Sequence, residues 1–363
     1  MINRLVIEVL SLEKGKAYGF QEYIFNLLDY MYENRKCIRC RNIVIICKSE
    51  SAVLFNAYKD VFSIVGYRYK SYLKRYWLET IFPIWLGLGD HDLLFSPGNY
   101  SGWIKVCPEI LVVHDLLFKR KQWIPSKLMR LQRELYFPRS IKKANKIIAI
   151  SQFTKKDIEH FYPEAIGKVD VIYNAMNFNK FVGDNSINVG FDYFIVISSN
   201  ENYKNQRTIL KAFQLYCEDG GKLDLIIIGR FKPDSEAGIV YSNLSNIIKN
   251  RIHWKHDITN TELGALYNKA SCFISASKFE GLGMPVVEAM SFGLPAILSD
   301  IAPHHEISMG KAVFFDANNP KDLASKMSKI DFSKREYANA IKGLFSEENT
   351  SDKYIQLINE FAD

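Results

Sequence analysis

The sequence predicts two doubly wound α/β domains in tandem, and three observations point there. At 363 residues the chain exceeds what one ordinary core holds, so two domains of roughly 150–200 residues each are expected. Short, nearly continuous apolar runs alternate with stretches of helical pattern, which is how parallel strands buried on both faces read. The alternation breaks over 174–188, a stretch rich in Asn, and then restarts.

Taken in order, Leu5–Leu10, Ile43–Ile46, Asp92–Phe95, Ile110–Val113, Lys146–Ile150 and Val169–Ile172 are the strands of the first series. Phe194–Ile197, Leu223–Ile228, Ile252–Trp254, Cys272–Ser275, Ala296–Leu298 and Ala312–Phe315 are those of the second. Helices are expected between most of them, and two more at the end, Ile330–Phe345 and Asp352–Phe361, separated by Ser346–Ser351. Sheets of this kind bind ligands beyond the carboxyl ends of their strands, so a cleft between the two domains is the expected site.

Composition narrows the class. With 48% hydrophobic and 24% charged residues the chain reads as a soluble globular protein. It has no uninterrupted apolar run of about 18 residues, and Met1–Ile7 leads straight into a strand pattern, so a cytoplasmic protein is expected. The six cysteines, at 37, 40, 47, 107, 217 and 272, are scattered and several lie in apolar runs, which suits reduced thiols. Cys37 and Cys40 form a CxxC, but no second pair or suitably spaced histidine accompanies it, and half-buried or surface thiols are the expectation.

The segment from Phe279 to Pro295 carries the chemistry. Glu280 and Glu288 stand eight positions apart around a turn containing Gly281 and Gly283, and Pro285 suits the first position of a helix that stops at Gly293. The unpaired N–H groups of such a first turn seat an anion, and the glycines let a backbone approach it closely. A carboxylate one turn into the helix can accept from vicinal hydroxyls such as those of a ribose. Two carboxylates flanking a phosphate seat suit a nucleotide sugar. The plainer alternative is that Glu288 complements the helix dipole and Glu280 is a solvated loop residue.

This segment resembles the E-x7-E signature of the family 4 retaining glycosyltransferases. Further segments resemble that family in the expected order: Phe95–Gly98, Val113–Asp115, Ile148–Thr154, Val171–Asn174, Tyr203–Asn205 before a helix reaching Phe213, and Ser299–Pro303. The likeness runs from about residue 90 to 330. It implies the GT-B architecture of two facing Rossmann-like domains with an interdomain cleft. The expected division is an acceptor-side domain over 1–178, a nucleotide-sugar domain over 179–346 and a terminal helix over 347–363 packing back on the first. Glu288 would bind the ribose, Glu280 the donor sugar and Lys204 the diphosphate. Gly281, Leu282, Gly283 and Met284 would supply backbone N–H groups, and His114 would line the sugar side of the cleft. On residue type alone, Lys204 is equally a solvated lysine at a helix start and His114 a satisfied histidine at a strand end.

One departure bears on catalysis. Where many members carry an arginine four or five residues before the motif lysine, this chain has Asn200 and Ser199. A diphosphate leaving group develops charge as the glycosidic bond breaks, and a preorganised donor there is worth roughly 3 kcal/mol. Arg230, just after an expected strand, is the candidate substitute. The resemblance implies front-face substitution with retention, the departing phosphate helping to deprotonate the acceptor hydroxyl, with no metal and no cofactor besides the nucleoside diphosphate sugar. Two alternatives stay open: a nucleotide-sugar epimerase on the same fold, and a non-catalytic nucleotide-sugar-binding module.

The net charge of +7 is uneven, since residues 1–180 hold 28 Lys and Arg against 17 Asp and Glu, and the remainder 19 against 23. Tyr67–Trp85 interleaves Arg68, Lys70, Lys74 and Arg75 with aromatic residues, and Lys119–Lys121 precedes Lys127, Arg130, Arg133, Arg139, Lys142 and Lys143. Such a surface suits an anionic membrane face, with a glycan or lipid-linked glycan as acceptor. The alternative is a helix that buries its aromatics and solvates its cations. No nucleic-acid motif is present.

Overall fold

A computed structural model describes residues 1–13, 18–120, 123, 126–182, 189–333 and 335–363. The apolar runs become the strands of two parallel sheets. The first series comprises β1 (Ile2–Val9), α1 (Tyr18–Glu33), β2 (Cys40–Lys48), β3 (Phe62–Tyr67), α2 (Tyr72–Trp85), β4 (Leu93–Ser96), β5 (Glu109–Val113), α3 (Lys127–Lys143), β6 (Lys146–Ala149), α4 (Gln152–Phe161) and β7 (Val169–Val171). The second comprises β8 (Tyr193–Ile197), α5 (Gln206–Glu218), β9 (Asp224–Ile228), α6 (Glu236–Ser242), α7 (Asn246–Lys249), β10 (Ile252–Lys255), α8 (Asn260–Lys269), β11 (Cys272–Ser275), α9 (Met284–Ser291), β12 (Ala296–Ser299), α10 (Ala302–Ile307), β13 (Val313–Phe315) and α11 (Pro320–Lys329). Two last helices follow, α12 (Ala338–Phe345) and α13 (Glu347–Glu360).

Among the described residues the first sheet has the order β3-β2-β1-β4-β5-β6-β7 and the second β10-β9-β8-β11-β12-β13. Every pairing is parallel. The interior strands Leu93–Ser96, Glu109–Val113 and Ala296–Ser299 are buried throughout. β3 is the strand that the apolar pattern does not announce: as an edge strand it carries Ser63 and Gly66 and is only partly buried.

Two compact units result, Met1–Met176 with Phe345–Asp363, and Asn177–Leu344. α13 belongs to the first, where the Tyr23 and Tyr354 hydroxyls meet at 3.1 Å and Asn359 Nδ2 donates to the Cys37 carbonyl at 2.8 Å. The helices expected over 330–345 and 352–361 need correcting. Ile330 ends α11, and at 331–335 Arg335 bonds back to Asp331 at 2.9 Å. Ser346 does not separate the last helices as a loop; it caps α13, its side chain accepting from Asn349 N at 3.2 Å with Glu347 and Glu348 in the first turn.

All six cysteines are free, Cys37 exposed and Cys40 buried. Among the described residues no helix is long and apolar enough to cross a membrane. The α2 surface divides in two. Tyr76 is buried and so is Arg75, counted from the sequence among the surface cations, whose Nε lies 3.0 Å from Glu79 Oε1. Leu73, Trp77, Ile84 and Trp85 are instead exposed.

Candidate functional site

In the second sheet the strand order reverses between β8 and β11, which pair through Phe194 and Cys272. Ligands of doubly wound sheets bind beyond the carboxyl ends at such a switch point. The loops leaving these two strands deliver Lys204 and Glu280, and Lys204 Nζ donates to Glu280 Oε1 at 2.7 Å. The loops are stitched together. Lys278 N donates to the Tyr203 carbonyl at 2.7 Å, and buried Asn205, in the left-handed region at φ 58°, donates its amide to the carbonyls of Ala276 at 3.0 Å and Ala317 at 2.8 Å. The resemblance gives Lys204 and Glu280 separate parts of a donor; the fold pairs them with each other.

Burial drives the Glu280 carboxyl upward, but the Lys204 charge and hydrogen bond, the Ser277 side chain and His304 outweigh it and hold it below its ordinary range. His304 is fully buried beneath this turn. Its Nδ1 faces the Ser299 carbonyl at 3.0 Å and its Nε2 faces Ser275 Oγ at 3.4 Å, so Nδ1 carries the proton; burial keeps the ring neutral.

Gly281, Leu282, Gly283 and Met284 form the turn into α9. Gly283 is its N-cap at φ 102°, where a side chain would be strained and a Cβ would come 3.1 Å from Ile307 Cδ1. The helix therefore starts at Met284, and Pro285 stands second in it rather than first. Glu288 follows on the next turn, buried, with the Tyr267 hydroxyl donating to its Oε2 at 2.8 Å.

Asn200 and Arg230 lie at the carboxyl ends of β8 and β9. Asn200 Nδ2 donates to the Arg230 carbonyl at 2.7 Å, while the exposed guanidinium turns to Asp257 at 3.2 Å. The backbone of Arg230, not its charge, is what the fold brings to Asn200.

His114 belongs to the first unit, at the carboxyl end of β5. Its Nε2 donates to the Pro97 carbonyl at 2.8 Å, and the rings of Phe20 and Tyr23 meet it edge-on at 5.5 and 4.9 Å. Burial lowers its pKa, so it is a neutral imidazole whose Nδ1 remains an acceptor.

Asn205, Tyr267 and His304 were not singled out by sequence. Asn205 carried a signal, an Asn just before a helix. Tyr267 sits within an apolar stretch of α8 and carried none.

Two family models match, Glycosyl transferases group 1 over residues 177–358 and Glycosyltransferase Family 4 over 23–180. The chain is 25% identical to the O-antigen chain mannosyltransferase RfbU of Salmonella typhimurium, over 72% of this chain and 70% of that protein. It is 29% identical to the GDP-mannose:cellobiosyl-diphosphopolyprenol alpha-mannosyltransferase of Xanthomonas oryzae pv. oryzae, over 38% of this chain and 36% of that one. Anabaena HepE, solved in complex with UDP and glucose, superposes with a TM-score of 0.72 at 13% identity, covering 99% of this chain and all of its own. With the first model matched over half its length and both sheets doubly wound, the chain belongs to the group 1 glycosyl transferases and has the GT-B architecture.

Proposed function

We propose that the chain is a retaining glycosyltransferase that moves a sugar from a nucleoside diphosphate donor to a lipid-linked glycan during assembly of a surface polysaccharide. The observation that carries this reading is the Lys204–Glu280 pair at the switch point, followed directly by the Gly283-capped start of α9 and by Glu288 one turn later. In this reading the diphosphate sits on the helix start, where the backbone dipole and Lys204 offset its charge. Glu288 accepts from the ribose hydroxyls, and Glu280, freed from Lys204, accepts from the sugar. Charge grows on the departing diphosphate, so a cation placed beforehand lowers the barrier more than one recruited during the step. Arg230 is the proposed second cation, reached by leaving Asp257, and His114 is proposed as a catalytic residue of the first unit. No metal is required.

The relatives' names favour mannose, GDP-mannose and a diphosphopolyprenol-linked acceptor. A lipid-linked acceptor makes an anionic membrane surface the natural partner. α2 supports this, since exposed Leu73, Trp77 and Ile84 share one helical face beside Lys74.

The test is calorimetric titration with UDP-, GDP-, CDP- and dTDP-sugars of wild type and Glu288→Ala, followed by NMR of the product anomer. One nucleotide should bind, the variant should lose it, and the product should keep the donor's anomeric configuration. Inversion would remove the retaining mechanism, and no binding of any donor would remove the function.

A further inference from the structure

The short turn Phe178–Phe181 opens the second unit, roughly a hundred residues before Glu288 in sequence. Asn177 caps it, its side chain accepting from Asn179 N at 3.0 Å. The turn is pressed onto α8 at Gly264, where any Cβ would overlap the Phe181 carbonyl. A glycine inside a helix costs about 1 kcal/mol relative to alanine, so this one has a packing reason to be there. The Phe181 ring then packs edge-on against Tyr267, 6.2 Å between centroids, and against Phe292 at 5.9 Å. Seated this way, the turn carries the Lys180 ammonium to 4.6 Å from the Phe181 ring and into electrostatic reach of Glu288. On the other side the Tyr267 hydroxyl donates to Glu288 Oε2 at 2.8 Å. Neither Lys180 nor Tyr267 belongs to the signature around Glu280 and Glu288.

We infer that Lys180 and Tyr267 are positioning residues for Glu288, holding its carboxylate charged and oriented to accept from the vicinal hydroxyls of a nucleotide ribose. The inference rests on Glu288 meeting the ribose. Buried on α9, a carboxyl is driven toward its neutral form, which accepts more weakly. Burial indeed raises the Glu288 pKa, and Lys180 and the Tyr267 hydrogen bond oppose the rise. Burial lowers the Lys180 pKa, with Glu288 opposing, and burial together with Glu288 raises that of Tyr267, which therefore stays a phenol donor. Among the described residues these are the titratable groups set against Glu288. Take Lys180 away and Glu288 protonates at higher pH. Nucleotide affinity then fails earlier as pH falls.

The experiment is isothermal titration of the full chain with GDP and UDP and with their 2′-deoxy forms, at several values between about pH 5.5 and 8.5. Wild type, Glu288→Ala, Lys180→Met, Lys180→Arg and Tyr267→Phe are compared, with Tm as a folding control. Lys180→Met should bind the ribonucleotide about tenfold more weakly near neutral pH, lose most of the preference for ribose over deoxyribose, and show its acid-side loss of affinity at higher pH than wild type. Lys180→Arg should restore most of all three, and Tyr267→Phe, which keeps the ring packing, should fall between. If both Lys180→Met and Tyr267→Phe keep wild-type affinity, ribose preference and pH profile while Glu288→Ala loses binding, the inference fails and the ribose role of Glu288 stands. An equal loss for both sugars with a lowered Tm and an unmoved pH profile means a structural role and overturns it too. If Glu288→Ala binds like wild type, the nucleotide reading falls, and the inference with it.

Discussion

At the scale of single residues, the Lys204–Glu280 pair has the sharpest consequence. Glu280 has a folded pKa below its unfolded value, so its ionised form stabilises the protein above the ordinary carboxylate range, and that contribution is lost as pH falls through the folded pKa. The Tm gap between wild type and Glu280→Gln should therefore be full near neutral pH and close between about pH 5 and pH 3. A gap independent of pH would mean that the charge of Glu280 is not what the fold uses. Both residues were legible as candidates in the sequence. Their partnership was not, because it joins positions 76 apart and depends on which strands are neighbours.

Among elements, α2 and α9 show how one pattern serves two ends. In α9 a glycine at positive φ, a proline in the first turn and a buried run after it specify a short helix whose start faces the switch point. In α2 the inward face holds Arg75, Tyr76 and Glu79, while Leu73, Trp77 and Ile84 are left in solvent. A monomeric soluble protein has little reason to keep such a face, and cations beside it favour an anionic bilayer by about 1 kcal/mol each near the surface. In flotation with vesicles rich in anionic lipid at low salt, wild type should rise with the lipid and the pair Leu73→Ser, Trp77→Ser should largely stay behind. Failure of wild type to float at low salt would end the membrane proposal. The interleaving of cations and aromatics was visible beforehand; that Arg75 turns inward to Glu79 was not, since a local pattern does not say which face of a helix a sheet will cover.

For the whole molecule, the chain's return to its first unit is the feature with most leverage. Tyr354 on α13 is buried against Tyr23 and Phe95 in that unit, whereas Lys204, Glu280 and Glu288 all belong to the other. Tyr354→Ala should cost about 3–5 kcal/mol of stability, read by urea unfolding, and leave the calorimetric nucleotide affinity unchanged below the unfolding transition. A loss of affinity in the folded variant would contradict the proposed placement of the nucleotide groups in the second unit alone.

By itself the sequence determined the class of fold and the turn between Glu280 and Glu288. These are local properties: apolar runs make strands, and Gly and Pro set the turn wherever the chain goes. Tertiary structure alone decided that Lys204 meets Glu280, that the Tyr267 hydroxyl bonds Glu288, and that neutral His304 lies beneath the turn. Each of these depends on strand order and burial, and a charge or hydroxyl acquires its partner and its protonation state only when distant segments are brought into the same low-dielectric surroundings.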